Sequence, residues 1–574
     1  MARVTYLSGS NALIAHRDPV FRPSETEADT LIVRDTFPFE VDIGKFKYTL
    51  DGGDLTDAVL TDLSDNVVAT YTHGDVSFAA ILAALTSALN SDQAYEATLM
   101  VFAGDDTITG TAGDDEFLEP GAGNDTVNAG AGDDLVRKWK PGNLSVDGGA
   151  GKDTLSFSLL QGSIFEGLGD GALTVDLNTG AGVNPWGGAL NVTGIEDVEG
   201  TPNSDIIIGN DLPNLLGDDH EFQVYGGGAD RIEGRGGDDT ILLSIDASGV
   251  SVDGGAGFDI LSIGMPDARL APVVVIDLVN PVNNAGSAAG GTFKNFERYE
   301  ANASFSGAAA FDFRGDANAN TVVGAASDDT LSGGAGDDSL SGRSGIDTLL
   351  GGDGNDTLDG GFNFPDNGDF MLGGRGDDTY FVDSGLDVVD EGILFGGAAD
   401  GFDTIISKTD FYWDYYSAAE ILRLDANATD TNNDGTTLVG SVFSNFLVGN
   451  AKTNVLFGRG GSDTYIAGDG IDFISLSTLG LTDANSYAGV DGVNTVIVQQ
   501  RQTGPVSYDI VFEFESGKDK LDVSDYGFAS QAAAYATGVN DGAGNCYFIL
   551  GDGLDYLYIV GKVIGDLAPG DFLV

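Results

Sequence analysis

The sequence predicts an all-β protein made of parallel β-roll segments, interrupted by β-rich insertions and flanked by a small N-terminal β/α module and a C-terminal β cap. Three observations predict it. Gly accounts for 86 of 574 residues, and Asp plus Glu for 90 with only 17 of them Glu, which is the composition of turns rather than helices. Six glycines, Gly315, Gly324, Gly333, Gly342, Gly351 and Gly360, stand at an unbroken spacing of nine. An Asp followed two residues later by a large apolar residue recurs in one register along the chain.

Charge narrows the partners. Only 26 Lys plus Arg oppose the acids, giving a net charge of -64. Phosphate recognition needs a basic footprint, so nucleic acid is excluded and anionic membrane surfaces are disfavoured. Dozens of carboxylates call instead for a hard cation with oxygen ligands, above all calcium. Hydrophobic residues still make up 42% of the chain, enough for a core. One cysteine, Cys546, allows no internal disulfide and reads as a small buried residue in a strand.

The elements follow in chain order. Residues 1–100 form the N-terminal module. Phe46 to Leu50 and Val59 to Thr72 alternate like antiparallel strands, and Ser77 to Asn90 reads as one helix with Ser77 as N-cap. Its apolar run, Phe78 to Leu89, is too short to span a bilayer. Met1 to Arg17 lacks the basic start and apolar run of a cleaved leader. The first repeat block, 101–157, carries Asp106, Asp115, Asp125, Asp134 and Asp153 at the recurring acidic position. An insertion at 158–199 separates it from the second block, 200–262, with Asp205, Asp230, Asp239 and Asp259. A second insertion, 263–314, precedes the third block, 315–382, with Asp329, Asp338, Asp347, Asp356 and Asp378. The third insertion, 383–439, leads to a fourth block, 440–475, with Asp463, and 476–574 is the cap.

The first two insertions share an order: a Val-rich strand (Thr174 to Leu177, Val275 to Leu278), a Gly-rich loop, then Ile195 to Val198 or Phe296 to Tyr299. This implies a duplicated unit whose strands cover or lengthen a roll. Glu196 and Glu297 within it read as surface charges or turn contacts rather than metal ligands.

Between the spaced glycines the chain reads GGAGDDSLS, GRSGIDTLL and GGDGNDTLD, the pattern G-G-x-G-x-D-x-U-x with U apolar. This resembles the calcium-binding nonapeptide of RTX proteins. Glycines such as Gly334, Gly336, Gly352 and Gly354 let the chain turn at positive φ and bring carbonyl oxygens toward one point, where the Asp adds a carboxylate. The residues after it make a short strand with its central side chain inward. The fifteen inward residues are Ile108, Phe117, Val127, Val136, Leu155, Ile207, Ile232, Ile241, Leu261, Leu331, Leu340, Leu349, Leu358, Tyr380 and Tyr465. Stacked turns share each Ca2+, so folding and metal binding form one equilibrium. Turns with Asn214, Asn320, Asn445 or Asn454 at the acidic place bring no charge and read as spacers.

The resemblance implies more. Tyr508 to Phe514 with Gly517 to Ser524 is similar to the roll-closing segment of serralysin-type RTX proteins, and Asp571 to Val574 resembles the tail read by type I exporters. A bacterial chain secreted without an N-terminal signal peptide follows, with the exporter as a partner. RTX rolls often accompany a catalytic domain, but no catalytic motif is found. His16, His73 and His220 are isolated, no H-E-x-x-H occurs, and Gly342 to Gly345 lacks the G-x-S-x-G spacing. Paired acids such as Asp337-Asp338 recur with the repeat, which argues for metal rather than a single catalytic pair. The reading is a calcium-binding, non-enzymatic component of the cell surface or matrix, similar to surface-layer proteins, that self-assembles or binds surface polysaccharide. An enzyme acting on an extracellular polymer is the alternative. A flat-faced ice- or surface-binding adhesin is disfavoured, since the outward third position runs Ala335, Ser344 and Asp353.

Overall fold

The computed structural model describes residues 105–574 except 111, 116–117, 119, 139, 158–170, 218–227, 244–248, 266–272, 286–287, 303–307, 362–367, 391–400, 410, 413–420, 429–435, 442, 477–492, 500–506 and 552–554; before residue 105 it describes the backbone of six strands. The Ser77 to Asn90 helix and the three histidines lie outside the described residues. Two compact units divide the chain: residues 1–266 with 281–302, and residues 267–280 with 303–574. The boundary falls inside the second insertion.

The repeat dictates the coil. In the third block Thr330–Ala335 pairs in parallel with Thr348–Asp353, placing Leu331 beside Leu349, while Ser339–Ser341 pairs with Thr357–Asp359, placing Leu340 beside Leu358. Each strand meets the one eighteen residues further on, so two nonapeptides make one turn of a solenoid and alternate nonapeptides feed opposite sheets. Along Thr330–Ala335 the burial alternates, with Leu331 and Gly333 inward and Thr330 and Ser332 outward, as the two-residue strand period requires. On this edge the glycines lie close enough for the ladder to run on, pairing Gly334 with Gly352, and the strands reach six residues. Strands on the other edge stop after three.

The core is the column of inward residues. Fourteen of the fifteen apolar positions are at most 1% exposed, and Phe117 lies outside the described residues. At about 1.5–3 kcal/mol for each fully buried large apolar side chain, this column is the main favourable term the turns possess.

In the first unit one sheet begins with antiparallel strands, among them Val41–Asp51, Asp54–Thr61 and Val67–Thr72, as their alternation predicts. It becomes parallel where Ala2–Tyr6 meets Asp106–Thr109 and continues through the repeat strands. The insertions lengthen the rolls. Leu144 pairs with Leu190 and Thr154 with Asp197 in the first; Ser251 pairs with Thr292 and Ile260 with Arg298 in the second. Within the second unit Val273–Asp277 and Ala310–Arg314 join Thr330–Ala335 in the same way. One strand departs from the pattern: Ala181–Val183 runs antiparallel to both its neighbours.

The cap ends the second unit's roll by changing strand direction. Ser507–Phe512 is still parallel to Ile471–Ser475, but Cys546–Leu550 is antiparallel to Asp555–Ile559 and to Gly538–Asn540. Cys546 is fully buried, which raises its thiol to about 11. A five-residue helix, Gln531–Tyr535, starts where the Ser530 side chain accepts from the Ala533 N–H. Phe572 is buried, its ring 5.0 Å from Phe548 and 6.2 Å from Tyr535. Asp571 accepts from the Ser516 hydroxyl and from the Gly517 and Ala568 N–H groups. No helix among the described residues is long and apolar enough to cross a membrane.

Candidate metal centres

Every repeat ends its turn on the acidic residue, and the coil stacks these residues into ladders. Asp338 N–H donates to Asp356 Oδ1 and Asp356 N–H to Asp378 Oδ1, both at 2.8 Å. On the other edge Asp329 N–H donates to Asp347 Oδ1 at 2.8 Å. The first unit repeats the arrangement from Asp115 to Asp134 to Asp153, and from Asp239 to Asp259. All these acids except Asp115 are buried, as are Asp125, Asp205, Asp230 and Asp463. Asp106 opens a strand and its side chain lies outside the described residues.

What happens to the second carboxylate oxygen separates two kinds of turn. Asp134, Asp153, Asp239, Asp259, Asp338, Asp347, Asp356 and Asp378 each bury an Oδ2 that has no hydrogen-bond partner. In all eight the second residue of the turn has positive φ: Gly130, Gly149, Arg235, Gly255, Gly334, Arg343, Gly352 and Gly374. That conformation keeps the local N–H off the carboxylate. In the other kind, the second residue is not at positive φ and its N–H closes on the side chain. Thr201 N–H donates to Asp205 Oδ2 at 2.6 Å and Ala325 N–H to Asp329 Oδ2 at 2.5 Å. The Asn turns close likewise, through Asn210 to Asn214, Ser441 to Asn445, Asn450 to Asn454 and, at 3.4 Å, Asp316 to Asn320. Asp205 and Asp329 therefore share the geometry of the Asn spacers. Asp230 also leaves an orphaned Oδ2, while the start of its turn lies outside the described residues.

The open turns are held open at a cost. An Arg in the left-handed region is disfavoured by about 1–2 kcal/mol, yet Arg235 and Arg343 adopt it with φ of 82° and 74°. Gly352 and Gly354 have φ of 130° and 145°, and a Cβ on either would lie 2.0 Å from the carbonyl oxygen of Gly334 or Gly336 in the turn before. At the first position a Cβ on Gly351 would lie 2.3 Å from Asp356 Oδ2.

Burial without a partner disfavours the charged carboxylate. Desolvation leads, and neighbouring acids add to it, lifting Asp338 and Asp378 to about 7, Asp347 to about 8, and Asp134, Asp153, Asp239 and Asp356 to about 6 from an ordinary 3.8. A bound cation reverses this preference.

One turn shows which atoms a cation meets. In Pro120 to Asp125, Gly121 and Gly123 have φ of 70° and 130°, and the buried ammonium of Lys138 sits 2.7 Å from Gly121 O, 3.3 Å from Gly123 O and 2.5 Å from Asp125 Oδ2. The second and fourth carbonyls and the acidic side chain thus form one oxygen set. Among the described residues no three His, Cys, Asp or Glu side chains converge, so carboxylates alone do not make a centre. Calcium takes about six to eight oxygens, so one turn's set requires the carbonyls and a second turn to complete it. The open turns fit that demand, and calcium there would supply the positive charge the orphaned oxygens lack.

The RTX calcium-binding nonapeptide repeat matches residues 102–118, 120–137, 225–244, 314–349, 333–363 and 439–474. The chain carries RTX calcium-binding repeats. No curated protein matches it. A crystal structure of the extracellular lipase LipA from Serratia marcescens is similar at 12% identity, covering 60% of this chain and 67% of its own, with a TM-score of 0.18.

Several RTX ladder residues escape the nonapeptide pattern. Asp369 accepts from Asp347 N–H and Asp403 from Asp378 N–H, each displaced by a longer loop. Glu196 accepts from Asp153 N–H and Glu297 from Asp259 N–H, so both acids of the insertions make turn contacts. Asp519 extends the ladder toward the cap. Asp472, by contrast, keeps the repeat: Gly468 and Gly470 stand at its second and fourth positions with positive φ and its buried Oδ2 has no partner, so it is a further open turn. The signal that finds most of the others is the acid two residues before an apolar residue, as in Asp369 to Met371 and Asp403 to Ile405, without the leading glycine pair.

Proposed function

We propose that this calcium-binding protein is exported through a type I route, folds on calcium outside the cell and serves there as a non-enzymatic structural or adhesive component that self-assembles. The observation that carries the proposal is the set of open turns, each with a buried, unpartnered carboxylate oxygen. Such a roll is poorly stable until a cation arrives, which suits a chain that travels unfolded through low-calcium cytosol and meets millimolar calcium outside. The acidic-hydrophobic tail supports export, since it is free to be read only before Phe572 is buried.

Assembly is supported by rows of exposed acids outside the ladders. Asp328, Asp337 and Asp377 accept the N–H of Ile346, Asn355 and Phe402 in following turns, leaving carboxylates on the surface for calcium to bridge between copies. Attachment to surface polysaccharide is supported by stacked tyrosines on the capping sheet, Tyr508 with Tyr556 at 5.0 Å and Tyr547 with Tyr558 at 5.1 Å.

The test is a calcium titration of chelated protein, followed by circular dichroism and light scattering together. A cooperative rise in β-signal, at calcium on the order of 0.1–1 mM, with particle mass growing far beyond 59.2 kDa supports the proposal. Particles that stay monomeric at saturating calcium count against assembly. A fully folded protein in excess chelator would overturn the calcium switch.

A further inference from the structure

The turn from Pro120 to Asp125 matches the repeat, and Gly121 and Gly123 give it the open backbone, yet its cation position is filled by the chain itself. Lys138 is 0% exposed, and its backbone N–H donates to Ser156 O at 3.0 Å, which fixes it at the end of the strand Leu135–Arg137. From there its Nζ reaches Gly121 O, Gly123 O and Asp125 Oδ2. A buried ammonium is tolerated only when charge and hydrogen bonds meet it, and this turn supplies both. In the open turns described above the corresponding Oδ2 is unpartnered.

We propose that Lys138 is a built-in substitute for calcium in this one turn, so that the turn 120–125 binds no calcium and closes at any calcium concentration. The first roll then owns one nonapeptide turn that is complete before metal arrives, on which later turns can stack. Repeat proteins propagate order from any stable unit to its neighbours, so such a turn lowers the calcium needed to order the block 101–157.

The experiment uses the full chain, with bound calcium counted by equilibrium dialysis and local order followed by hydrogen exchange. In excess chelator, the wild type is expected to keep slow exchange over 120–127 while residues 330–359 exchange freely. Lys138→Ala is expected to lose that protection in chelator, regain it on adding calcium, and bind one more ion at saturation. Asp125→Asn, which keeps the shape of the turn, is expected to leave the ion count unchanged. The proposal is overturned if Asp125→Asn binds one ion fewer, or if 120–127 in the wild type becomes protected only together with 330–359. If Lys138→Ala does not fold at any calcium concentration, the Asp125→Asn count and the wild-type exchange pattern still decide.

Discussion

Asp356 and Asp329 occupy the same place in the repeat and differ in the local hydrogen bonds their carboxylates accept, Asp329 taking the Ala325 N–H and the Ser327 hydroxyl. Asp356 Oδ2 is buried without a donor, whereas Asp329 Oδ2 takes the Ala325 N–H. Asp356→Asn is therefore expected to remove at least one bound calcium and to raise the calcium midpoint of folding. Asp329→Asn is expected to leave the ion count unchanged; isothermal titration of both variants checks the pair. Equal losses of calcium from the two would refute the division into open and closed turns. Backbone geometry gives a second prediction at this scale. Gly352→Ala places a methyl group 2.0 Å from Gly334 O at a φ that an L-residue disfavours. A marked fall in melting temperature is expected even at saturating calcium, because the clash is steric.

Two elements with identical roles illustrate how the coil is stabilised. Thr348–Asp353 and Thr357–Asp359 lie on opposite sheets, each placing one leucine, Leu349 or Leu358, fully inside. Cutting either side chain back leaves a cavity bounded by turns above and below. Leu349→Ala is expected to destabilise the calcium-bound roll by about 2–5 kcal/mol, read as a shift in denaturant midpoint. Since folding and calcium binding are linked, the same variant should need more calcium to fold. A shift in stability with no change in calcium midpoint would separate the two processes and argue against that linkage.

At the scale of the whole molecule, a net charge of -64 and a set of buried acids set the response to pH. In the metal-free chain, Asp338, Asp347 and Asp378 are raised in the folded state to about 7, 8 and 7, above an ordinary 3.8. A raised folded value means the folded state holds its protons more tightly. The resulting stability is fully present below about pH 4 and is lost as pH rises through about 7–8. In excess chelator, β-signal is expected to be stronger near pH 5 than at pH 8.5, and saturating calcium should flatten the difference. A metal-free roll that gains stability as pH rises would show that these carboxylates are not buried as described.

The all-β class, the nine-residue period, the inward column and most of the ladder acids were legible in the sequence, because a repeat states its register many times over. The sequence also marks which turns open. Gly-Gly-x-Gly before Asp338 or Asp356 keeps positive φ, whereas Gly-Thr-Pro-Asn before Asp205 and Gly-Ala-Ala-Ser before Asp329 do not. Asp alone at the acidic position therefore does not distinguish open turns from closed ones. Other features depended on chain folding over distance. Glu196 adds a rung to a ladder whose preceding member, Asp153, lies 43 residues earlier, and insertion strands take places in the roll that their own composition does not announce. Lys138 carries no motif, and its ammonium finds Asp125 thirteen residues back because the coil returns the strand end to that turn. Local chemistry determined what each turn is able to hold; the stacking of turns decided what meets it there, since each cation position is closed by groups that sequence distance keeps apart.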